Sequence, residues 1–81
     1  MLEKLTVIDR IEVTEAGHIQ VRHAIRIMED GKQLSQSFHR YALAPGDNLE
    51  GQEARVVAIA NAVWTEEVVA AYNILINKTI I

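Results

Sequence analysis

The sequence contains no cysteine, a single proline and few aromatics: one Trp, two Tyr and one Phe in 81 residues. Without cysteine there is no disulfide, no thiolate metal site and no cysteine nucleophile. The chain also lacks a basic excess, with 8 Lys and Arg against 11 Asp and Glu and a net charge of −3. Nucleic-acid binders draw most of their affinity from neutralised phosphates, so that class is disfavoured. No basic stretch leads into an apolar core, so no signal peptide is expected. No apolar run reaches the roughly 18 residues of a membrane span, so no membrane partner is expected. A reducing cytoplasm suits such a chain.

What remains fits one small domain covering residues 1–81. A chain this short buries a modest share of its surface, and small scaffolds offset that with disulfides, metals or oligomer interfaces. With the first excluded, self-association becomes an expectation.

The first half alternates in polarity and the second half has helical spacing, with "ALAPGDNLEG" at the boundary. Strands are expected over about 4–14, 18–29 and 33–43. The turns at residues 15–17 and at Asp30 and Gly31 are too short for parallel crossovers, so the sheet is read as an antiparallel meander. A loop of residues 44–50 follows, with Pro45 and Gly46 in a type II turn. Helices are expected over about 51–63, with the stripe Val56, Ile59, Ala60 and Val63, and about 66–77. Asp47 with Glu50 resembles a capping box for the first, though Gly51 permits a later start. Thr65 is the natural N-cap of the second. The fold class is therefore α+β: a three-stranded antiparallel β-meander followed by two α-helices packed on one sheet face, in the order β-β-β-α-α.

His23 breaks the apolar parity of "HIQVRHAIRI", and Asp9 breaks that of the first strand. A three-residue loop at 15–17 sets Val13 opposite Ile19, Ile11 opposite Val21 and Asp9 opposite His23. A two-residue turn at Asp30 and Gly31 sets Glu29 opposite Lys32, Ile27 opposite Leu34 and His23 opposite Phe38. In that register Asp9, His23 and Arg40 form a polar island on the core-side face. An aspartate beside an imidazole is half of a nucleophilic triad, but Ser35 and Ser37 have the wrong parity to reach it. The bland alternative is an ion-pair cluster that fixes register or lines an interface. No catalytic residue is assigned.

Arg10, Arg22, Arg26, His39 and Tyr41 then share the outer face, and Arg10 beside Arg22 wants an anion or Glu12 nearby. Arg10, Arg22, Arg26 and His39 are candidate anion contacts, although only Tyr41 supplies a stacking ring. His18 and His39 lie about 13 Å apart at about 3.3 Å per residue, and His23 faces away from both, so no metal site is expected. No cofactor motif is present; "APGDNLEG" lacks the lysine and spacing of a phosphate loop.

The second helix is apolar almost all round. Periodicity does not distinguish an ordinary core helix from an oligomer interface. On the second reading Trp64, Val69, Tyr72, Ile76 and Ile80 are the interface candidates.

The stretches "IQVRHAIRIMEDGK", "FHRYALAPGD" and "VVAIANAVWTEEVVAAY" together resemble short tailed-bacteriophage proteins encoded near structural genes, over about residues 5 to 72. The resemblance implies a phage or prophage origin, a virion or assembly role, and a location in the host cytoplasm or the virion. It carries over no functional residue. The function expected from the sequence is a non-enzymatic structural or interaction module acting as a homo-oligomer. The alternatives are a nucleic-acid or polyanion binder on the arginine-bearing face and a small acid/base enzyme centred on His23.

Overall fold

A computed structural model describes residues 1–80, with side chains through residue 77. Three strands, β1 (Leu2–Val13), β2 (Ile19–Glu29) and β3 (Lys32–Leu43), precede two helices, α1 (Ala54–Val63) and α2 (Glu66–Ile80). The sheet is an antiparallel meander with β2 in the middle, so the expected β-β-β-α-α architecture is present.

The turns follow from local chemistry. Thr14 N–H donates to His18 O at 2.9 Å across the three-residue loop, and Gly17 takes the left-handed φ of 94° that such a loop demands. Asp30 and Gly31, at φ 49° and 82°, form the mirror-image turn that an Asp-Gly pair favours. Helix α1 begins at Ala54, later than Gly51, and Asp47 forms no capping box. Its carboxylate instead accepts from Ala44 N–H at 2.8 Å and closes the turn before it. Thr65 caps α2 as expected, its Oγ1 accepting from Val68 N–H at 3.3 Å.

The register agrees with expectation near the loop at 15–17, where Val13 faces Ile19 and Ile11 faces Val21. It then departs twice. In β1 the pairing jumps from Arg10 with Arg22 to Ile8 with His23, leaving Asp9 as the extra residue of a bulge. In β3 it jumps from Gln33 with Met28 to Ser35 with Ile27, leaving Leu34 as the extra residue. Side chains alternate faces along a strand, so one extra residue sends everything beyond it to the opposite face. Leu5 and Val7 therefore leave the core side. His39, Tyr41 and Leu43 move onto it, while Phe38 and Arg40 move off.

The core sits at one end of the sheet. Ile8, Ile19, Val21 and Leu43 are buried there against Val56 and Ala60 of α1, with Ile11, Tyr41, Leu49, Ile59 and Trp64 around them. Helix α2 packs on the turns at that end, bringing Val68 close to Gly17, Val69 close to Gly46 and the Tyr72 ring to 5.2 Å from His18. The other end stands clear of both helices: every residue of 2–7 and 31–40 is exposed. The result is elongated, 54 × 25 × 20 Å.

Candidate functional site

The residues with chemistry gather in the middle of the sheet, on opposite faces. On the helix side, His23 and His39 are direct cross-strand partners with ring centroids 6.4 Å apart, edge to face. Tyr41 lies 5.6 Å from His23 and 6.1 Å from His39. Its hydroxyl donates to Gln52 Oε1 at 2.7 Å, and burial, with the Glu53 carboxylate second, raises its pKa. Glu53 is held below the usual carboxylate range mainly by its hydrogen bond from Arg55, at 2.7 Å. An open cleft of about 590 Å³ is lined by Ile8, His23, His39, Tyr41, Gln52 and Glu53. His23 Nε2 is buried without a hydrogen-bond partner.

The expected island of Asp9, His23 and Arg40 is not formed. The bulge turns Asp9 to the outer face, where Arg22 grips its carboxylate from Nε at 2.9 Å and Nη2 at 2.6 Å. A bidentate guanidinium–carboxylate pair is stronger than the cross-strand His–Asp contact it replaces. It holds the Asp9 carboxyl below its ordinary value and raises the Arg22 pKa. Arg40 stands on the outer face as the cross-strand partner of Arg22. Ser35 and Ser37 also change sides and share the face of His23, yet neither hydrogen-bonds an imidazole. No nucleophile and base are therefore paired among the described residues.

On the outer face Arg10, Arg22 and Arg40 stand in one row across all three strands. Arg10 pairs with Glu12 at 3.1 Å, so the anticipated repulsion with Arg22 is relieved by two carboxylates. Arg26 donates to Gln36 Oε1 at 2.8 Å. Arg40 is exposed and has no ion-pair partner among the described residues. His39, expected with the anion contacts, lies on the other face. A shallow cleft of about 330 Å³ runs along the row. The Arg22 guanidinium lies 4.4 Å over the Phe38 ring.

Next to this row lies a feature that sequence reasoning missed. Val7, Ala24 and Phe38 are cross-strand partners on the outer face, with Leu5 in the following row. Leu5, Val7 and Phe38 are 43%, 38% and 46% exposed, and Ala24 between them is fully buried without belonging to the core cluster. The signal was a conflict in β3. Leu34, Phe38 and Ala42 have one parity and Tyr41 and Leu43 the other, so no unbroken strand serves both.

The interface candidates Trp64, before α2, and Val69, Tyr72 and Ile76, on it, are half-buried, and the first three make contacts within the chain. Trp64 Nε1 donates to Gly17 O at 2.7 Å, Val69 packs towards Gly46, and Tyr72 meets His18. The Ile80 side chain lies outside the described residues. Among the described residues α2 also exposes the large apolar side chains Ile74 and Leu75, each 57%, beside Ala70 and Ala71.

Among the described residues no group of three or more His, Asp or Glu converges to hold a metal ion. No described helix is long and apolar enough to cross a membrane. No protein-family model, curated protein or solved structure matches the chain.

Proposed function

We propose that the protein is a non-enzymatic interaction module that works as a homo-oligomer. The observation that carries this reading is its surface. The chain exposes 5926 Å². A compact monomer of its mass exposes about 4,900 Å². The excess of about 1,000 Å² compares with about 800 Å² that each partner buries in a stable interface. Its radius of gyration, 16.5 Å, tells the same story; a compact domain of this length has about 12 Å. A small domain without disulfides has few other ways to gain stability.

Sedimentation velocity over a range of concentrations tests the reading. A closed dimer or larger assembly is expected, and a monomer at high concentration refutes it. A virion or assembly role, implied by the resemblance to tailed-phage proteins, is a setting in which such a module would work.

The arginine row favours a second reading, a polyanion-binding face. Its test is salt-dependent binding to a labelled oligonucleotide, weakened by Arg40→Ala. Asp9 and Glu12 already neutralise two of the arginines in the row, which leaves a small cationic footprint. This reading ranks second for that reason.

A further inference from the structure

We infer that the second copy docks on the outer face of the sheet, over Leu5, Val7, Ala24 and Phe38. This inference rests on the self-association reading and names its surface. The strip owes its existence to the two bulges. Without Asp9, Leu5 and Val7 would face the helix side, and without Leu34, Phe38 would. Both edge strands have been shifted by one residue relative to β2. The two shifts place apolar side chains around Ala24 on the face that no helix covers.

The face has the anatomy of an interface. Its middle is apolar and its margins carry both signs of charge. On one side stand Arg10, Arg22 and Arg40 with Asp9 and Glu12; on the other stands Glu3, and Arg26 enters the strip as the cross-strand partner of Leu5. A face bearing both signs can complement a copy of itself across a two-fold axis, and the unpaired Arg40 is then free to meet a partner carboxylate. Phe, Met and Arg are the residue types enriched in such patches, and Phe38, Met28 and the arginines supply them.

Two other surfaces compete, the strand edges and helix α2. A strand edge pairs with another copy through an unbroken row of backbone groups. Both edges here, β1 and β3, are interrupted by a bulge, a common device against such pairing. Helix α2 spends part of Val69 and Tyr72 on Gly46 and His18 and exposes Ile74 and Leu75, so it is the surface against which the strip is tested.

The test compares Phe38→Asp and Leu75→Asp by sedimentation velocity, with circular dichroism confirming that each variant is folded. Phe38→Asp is expected to weaken self-association by at least about 30-fold, the effect of losing a central anchor, and Leu75→Asp to leave it unchanged. A second measurement covers the case in which Phe38→Asp fails to fold. The chain has no native thiol, so Gln36→Cys and Ser37→Cys report separately on the two faces of β3. The Gln36→Cys thiol is expected to resist alkylation at associating concentrations and to react on dilution, while Ser37→Cys reacts at both. A wild-type chain that stays monomeric overturns the self-association reading itself. A wild-type dimer that dissociates on Leu75→Asp, or leaves Gln36→Cys reactive, overturns only the placement of the interface.

Discussion

Gly17 is the point at which α2 is fastened to the sheet, and adding one methyl group there tests that arrangement. The residue is buried with φ at 94°. A Cβ would stand 2.7 Å from Val68 Cγ1, 3.5 Å from Pro45 Cγ and 3.7 Å from Val63 Cγ1. Carbon atoms in good contact lie about 3.5–4.0 Å apart, so the first of these is a collision and the others are ordinary contacts. Val68 cannot swing clear cheaply, because a β-branched residue in a helix has one strongly preferred rotamer. Relief requires α2 to move, which strains the Trp64 hydrogen bond to the Gly17 carbonyl.

Two costs add in Gly17→Ala. The left-handed backbone costs a residue with a Cβ about 1–2 kcal/mol, and overpacking about 1–3 kcal/mol more. Gly31→Ala is the control, since its φ is 82° and nothing lies within 4 Å of its added Cβ. It bears only the first cost. The difference of about 1–3 kcal/mol corresponds to roughly 5–20 °C in Tm for a domain of this size. Thermal unfolding by circular dichroism measures it, at one fixed protein concentration because self-association, where it occurs, shifts Tm. Shortening Val68 to alanine in the Gly17→Ala background should recover most of the excess, giving a coupling of about 1 kcal/mol or more in a double-mutant cycle. A Gly17→Ala protein no less stable than Gly31→Ala, or a cycle without coupling, refutes the fastening.

Three further outcomes follow from named contacts. The Asp9 carboxyl is held below its ordinary value of 3.8 by Arg22, so the ion pair contributes fully above that value and is lost as pH falls through the lower folded one. Asp9→Asn should therefore lower the urea midpoint at neutral pH and converge with wild type in strong acid. Trp64→Phe removes the indole N–H that Gly17 O accepts and should cost about 1 kcal/mol in urea unfolding. Ile19→Val, at a position with no exposed surface, should cost about 0.5–1.5 kcal/mol in the same assay.

The legible part of the fold is the part fixed by neighbours in sequence. Asp30 with Gly31, the glycine ending the loop at 15–17, and Pro45 with Gly46 dictate their turns through backbone conformation alone. The stripe Val56, Ile59 and Ala60 dictates which face of α1 is covered. The bulges are different in kind. Nothing within a few residues of Asp9 or Leu34 requires an extra residue there. The reward lies far away in sequence, in the Arg22 guanidinium and in the space beneath α1 that Tyr41 and Leu43 fill. Each bulge also changes the chemistry read from the strand. His23 lost Asp9 and Phe38 as expected neighbours and gained Ile8 and His39.

The two departures from the expected register both fall on edge strands, for a physical reason. An extra residue in β2 would break two ladders at once, whereas one in β1 or β3 breaks a single ladder. The parity of β2 is therefore the fixed reference, with Ile19 and Val21 towards α1 and Ala24 away. Each edge strand chooses its phase against it independently. In β1 the choice is made by a carboxylate that gains a bidentate partner. In β3 it is made by apolar side chains, since the shift buries Leu43 and part of Tyr41 while leaving Phe38 exposed. A lone chain recovers only part of that loss. In the proposed assembly a second copy over Phe38 would let the same shift bury apolar groups on both faces, and Phe38→Asp would then remove that second gain while leaving Leu43 and Tyr41 in place.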